Sequence, residues 1–192
     1  MAPLIAWANF YVIVGSAAAV LTGLTFIAIT LTAQTRLPGV ERGIAAFTTP
    51  TVVSFGVALF LAALLSAPWS TLIPPALALG LCGLAGALYT ATVIERLRRL
   101  TLYTPVLEDW LWYGVSPLVA YLALVAAAPL LPVSPESTLL LIGGAIALLL
   151  FNGIRNAWDI VTDIVVVRMA KKDERKVGEG IAPPGSAAPA SD

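Results

Sequence analysis

Five apolar stretches, each roughly twenty residues or longer, leave this chain few ways to fold. They run over residues 5–31, 46–66, 72–94, 110–131 and 138–167, and the first four carry no charged side chain at all. A helix rising about 1.5 Å per residue needs about 20 apolar residues to cross a hydrocarbon core of about 30 Å. Each stretch is long enough. In lipid a helix satisfies its own backbone groups, whereas an open strand leaves its edge unpaired. The expected fold is all-α: an integral membrane bundle of five transmembrane helices in one domain, 1–176. A disordered cytoplasmic tail is expected over 177–192, where VGEGIAPPGSAAPASD is rich in Gly, Pro, Ala and Ser.

Composition agrees with the segments. Of the 192 residues 59% are hydrophobic and 11% charged, against about 25% charged in an ordinary soluble domain. The partner this implies is the lipid bilayer. Eleven basic and eleven acidic residues cancel, so no global field points to nucleic acid. A lone cysteine, Cys82, excludes an intrachain disulfide, and a chain without histidine lacks the usual ligands for zinc, haem or non-haem iron. No metal and no cofactor are expected. The chain has no Walker A loop, dinucleotide fingerprint or Gly-x-Ser-x-Gly elbow, so no catalytic residues are assigned and an enzyme is not expected.

The basic residues set an orientation. Arg36 and Arg42 fall between the first and second spans, and Arg96, Arg98 and Arg99 between the third and fourth; Arg168, Lys171, Lys172, Arg175 and Lys176 follow the fifth. With five spans, all of these lie on one side. The positive-inside rule then places the N-terminus outside and the C-terminus in the cytoplasm, with the last five as a cytoplasmic basic anchor. An alanine-rich chain with more arginine than lysine fits a bacterial cytoplasmic (inner) membrane. Trp7, Phe10, Tyr11 and Trp69 would lie at the outer interface, and Tyr103, Trp110, Trp112, Tyr113 and Trp158 at the inner one.

Local signals refine the spans. Thr49 and Pro50 read as the N-cap and first turn of the second helix, Pro74 and Pro75 suit the start of the third, and Pro117 predicts a kink in the fourth. Gly15, Ala19 and Gly23 recur every four residues along one face, and Gly80, Gly83 and Gly86 form a similar face on the third span. Small residues at such spacing let helix backbones approach, either within one bundle or between two copies.

The fifth span carries the sharpest polar signal. At about 100° per residue, Asn152, Arg155, Asn156, Asp159 and Asp163 fall within an arc of roughly 100°. Charged side chains inside a span face protein or water rather than lipid. Two readings follow. The stripe is structural, with Arg155 and Asp159 pairing four residues apart and Asn152 and Asn156 donating hydrogen bonds between helices; or it lines a wet path for an ion or solute.

Residues 15–31, GSAAAVLTGLTFIAITL, and Asn156-Ala157-Trp158-Asp159 with Thr162 resemble segments of a loose group of small bacterial multi-pass membrane proteins, which also hold a turn like Leu37-Pro38-Gly39 after the first helix. The resemblance covers about a fifth of the chain and implies a bacterial multi-pass protein with no known activity. The expected function is therefore non-enzymatic: assembly with itself or a membrane partner through the small-residue faces and the polar stripe. The competing expectation is a small oligomeric channel or transporter whose path the stripe lines.

Overall fold

Every regular element is helical among the described residues of the computed structural model, which are 2–33, 40–98 and 110–181, with side chains throughout except at 2, 31–33, 40–48, 96, 97, 160 and 163–181. A short helix α1 (Ala2–Ala6) leads into α2 (Ala8–Ala33), followed by α3 (Val40–Ser66) and α4 (Ile73–Arg98). A π turn over Leu111–Val115 then enters α5 (Ser116–Leu130), and α6 covers Pro135–Ile181. Five segments are long and apolar enough to cross a membrane: Ala8–Thr30, Thr49–Ser66, Ile73–Glu95, Leu111–Leu130 and Pro135–Asp159. The all-helical, five-span architecture is as expected.

The prolines behave differently from one another. Helix α4 opens at Ile73, so Pro74 and Pro75 sit in its first turn, where a missing N–H costs nothing. Thr49 and Pro50 do not open a helix. Helix α3 begins at Val40 and carries Pro50 inside it. Just before Pro117, where a kink is expected, the chain makes a π turn in which the Ser116 N–H donates to the Leu111 carbonyl five residues back. A proline ring presses on the carbonyl one turn earlier, and one widened turn gives it room.

The helices close on an aliphatic core. Leu61 and Leu65 of α3, Leu79 of α4, Leu124 of α5 and Leu139, Ile142, Ile146 and Leu149 of α6 are wholly or almost wholly buried, with Leu131 just beyond α5. Lipid tails are as apolar as leucine, so this core is held by dispersion contacts from close packing. Glycines set how closely the helices approach. A Cβ on Gly143 would lie 2.5 Å from the Trp7 ring, and one on Gly153 would lie 2.5 Å from the Phe55 ring. Outside, Val12, Val20, Leu24, Phe26, Leu77, Leu81, Leu84 and Leu88 are exposed, which suits a lipid-facing surface.

Two of the aromatics expected at the membrane interfaces pack against protein. Tyr11 is 1% exposed and Tyr113 6%. Tyr11 stacks on Trp7 with centroids 6.1 Å apart and meets Phe10 edge-on at 5.4 Å, so ring packing decides its place. The chain divides into two compact units, Met1–Ala157 and Trp158–Asp192. In the second, the Thr162 hydroxyl donates to the Trp158 carbonyl at 2.9 Å. Helix α6 continues to Ile181, into the stretch expected as a tail; residues 182–192 lie outside the described residues, as do the loop residues Arg36, Leu37, Pro38, Gly39, Arg99 and Tyr103.

Candidate functional site

Asn152 and Asn156 stand one turn apart on α6 and are 1% and 0% exposed. They line a small cavity of about 10 Å³, room for about one water, with Pro50, Val53 and Ser54 of α3, Tyr89, Thr90 and Val93 of α4, and Tyr113, Pro117 and Tyr121 from the π turn and α5. Each helix presents residues four apart: Pro50 with Ser54, Tyr89 with Val93, Tyr113 with Pro117 and Tyr121, and Asn152 with Asn156. That spacing keeps them on one face. Measured by helix rise, all lie within about 15 Å of the apolar-segment ends, which are Thr49, Glu95, Leu111 and Asp159.

The hydroxyls in this lining are used locally. Ser54 Oγ donates to the Pro50 carbonyl at 3.0 Å, and Thr90 Oγ1 donates to the Gly86 carbonyl at 2.9 Å. Each keeps lone pairs to offer. The phenols of Tyr89 and Tyr113 belong to residues with partners of their own. The two amides differ. Asn152 Oδ1, Asn156 Oδ1 and Asn156 Nδ2 are buried without any hydrogen-bond partner, so Asn156 donates no bond between helices, while of Asn152 it is the accepting oxygen that lacks a partner. A buried polar group left unpaired costs about 1–3 kcal/mol. The site therefore carries an energetic burden that the packing around it does not relieve.

The rest of the polar stripe parts company with this pair. Arg155 and Asp159 are each half-buried and each engaged by a partner. Neither is among the described residues that line the pocket, none of which is charged. The side chains of Asp163, Arg168, Lys171, Lys172, Arg175 and Lys176 lie outside those described. Among the described residues no group of three or more His, Cys, Asp or Glu side chains converges to hold a metal ion.

The small-residue faces divide too. A Cβ on Gly80 would lie 3.2 Å from Ala128 Cβ and one on Gly83 would lie 2.9 Å from the Tyr121 carbonyl, while one on Gly86 would collide with the Tyr121 ring. These glycines draw α4 against α5 within one chain, and Gly86 makes the space that Tyr121 fills beside the pocket. Gly15 meets Ala62 of α3 at 3.1 Å from its added Cβ, whereas Gly23 has nothing within 4 Å and Ala19 is exposed.

Sequence reasoning found Asn152 and Asn156 but missed the other lining residues. Their signal was present as the same four-residue spacing of proline, tyrosine and hydroxyl side chains near one end of each of four spans. Compared with known proteins, the chain matches no family model, no curated protein and no solved structure. The site has to be interpreted from its own chemistry: neutral, aromatic-walled, and able both to donate and to accept hydrogen bonds.

Proposed function

We propose that the chain is a non-enzymatic multi-pass protein of a bacterial cytoplasmic membrane, N-terminus outside and C-terminus in the cytoplasm, that binds a small solute in this pocket and passes it toward the cytoplasm. One observation carries the reading. Asn156 is wholly buried in the pocket lining with both amide atoms unpartnered, an arrangement that structural glue does not call for. Among the described residues the lining offers no carboxylate, thiol or imidazole to act as acid, base or nucleophile, which supports a binding role over catalysis. The basic residues flanking the pocket end of the spans support its nearness to the cytoplasm.

Cysteine labelling tests access and side together. In a Cys82→Ala background, Asn156→Cys in inverted vesicles should react with a small impermeant methanethiosulfonate, and right-side-out vesicles should protect it. A thiol silent from both sides, with a Glu95→Cys control reactive in inverted vesicles, would mean sealed packing and would end the solute-site reading.

Assembly is the second reading, favoured by the open face at Ala19 and Gly23. In this version two copies meet along α2, the only contact that a small-residue face leaves open here among the described glycines of that helix. Gly23→Leu should then convert an oligomer in lipid nanodiscs to monomer by native mass; a mass unchanged by the substitution would reject that face.

A further inference from the structure

The side chains around the cavity offer more acceptors than one water can serve. Resting on the solute-site reading above, we infer that the cavity is a site for a bare monovalent cation of sodium's size. Asn152 Oδ1 and Asn156 Oδ1 are acceptors without a donor. Ser54 Oγ and Thr90 Oγ1 have turned their protons to the Pro50 and Gly86 carbonyls of their own helices, so toward anything else they offer lone pairs only. Three helices thus supply four acceptor-bearing side chains to one lining, and all four are buried, from 0% to 4% exposed. A water has two hydrogens to give, whereas a cation draws on every oxygen around it. The unpartnered donor, Asn156 Nδ2, exchanges places with Oδ1 when the amide plane flips, so Asn156 can turn its oxygen to a cation without moving its backbone.

Size and charge select the ion. A cavity of about 10 Å³ has room for about one water, which excludes a molecule of several heavy atoms. The amide oxygens lie almost wholly out of a water molecule's reach. A bare sodium ion is smaller than water and approaches an oxygen more closely than water or a potassium ion does. None of the described lining residues is a carboxylate, the ligand on which calcium and magnesium sites rely. Neutral oxygens suit a single positive charge, as rings of backbone carbonyls replace an ion's hydration shell in channel filters. Burial strengthens each contact between ion and dipole, because little water screens it.

The test is thermal melting of the full-length protein in lipid nanodiscs, in sodium, potassium or choline chloride at one ionic strength, so that screening is the same throughout. Sodium at saturation should raise the wild-type midpoint about 5–10 °C above choline, the shift that a ligand at about a hundred times its dissociation constant gives a chain of this size. Potassium should leave the midpoint where choline does. Asn156→Leu should abolish the sodium response without melting lower in choline. Thr90→Val keeps the shape and removes one oxygen, so it should raise the sodium concentration for half the shift about tenfold; it is the independent variant if Asn156→Leu is not recovered. A potassium shift as large as sodium's overturns the assignment by size, and a sodium shift unchanged in both variants overturns the site. If all three salts give one midpoint although the thiol at position 156 is reactive, the cation falls and the accessible cavity stands. If that thiol is silent as well, both fall together.

Discussion

The two ends of the same four helices are built on opposite principles. Toward one end lie Leu61 and Leu65, Leu79, Leu124 and Leu131, and Leu139 and Ile142, all wholly or almost wholly buried, in a mostly aliphatic cluster that also holds the unpartnered Tyr11 hydroxyl. Toward the other, α3 and α5 contribute prolines, the chain enters α5 through a π turn, and α6 contributes two amides with orphaned atoms. The first layer maximises contact. The second gives contact up, and departures of this kind from consistent packing concentrate at functional sites. The difference teaches that close packing and unsatisfied polar groups are separated along the helix axes rather than assigned to different helices.

The comparison breaks most easily in the aliphatic layer. Leu124→Ala removes a side chain with 0% exposure, and should cost about 2–5 kcal/mol in reversible unfolding from mixed micelles, toward the lower figure because lipid also solvates the unfolded helix well. A loss under about 0.5 kcal/mol would mean that this end is not close-packed, and the contrast would disappear.

Much of the architecture was legible in the sequence because a membrane imposes a length and a polarity that no other solvent does. Four charge-free stretches and a fifth with charges toward its end could only become spans, and Pro74 and Pro75 correctly marked where α4 begins. The site was half legible. Asn152 and Asn156 stood out because amides are rare among so many aliphatic side chains, but their neighbours did not. Tyr121 reads as one more aromatic until Gly86 of another helix is seen to make room for its ring, and helical periodicity says which residues share a face without saying which faces meet. Pro50 was misjudged for a related reason. A local signal for a helix start was overridden, because α3 begins nine residues before Thr49 and runs through Pro50. Arg155, grouped with the asparagines by angle, sits at the edge of the arc, about 60° from Asn152, whereas Asp159, about 20° from Asn152, is left out by lying further along the helix.

The smallest expected effect decides the most. If the polar end exists for a ligand and not for the fold, Asn156→Leu should leave the unfolding free energy of the ligand-free protein unchanged or raise it by up to about 1 kcal/mol, since a branched apolar group of similar shape replaces an amide that nothing satisfies. Measured in the same micelles as Leu124→Ala, that result would set the two ends apart. A loss of about 2 kcal/mol or more would show instead that the Asn156 amide holds the helices together, and the polar end would then be a second structural core.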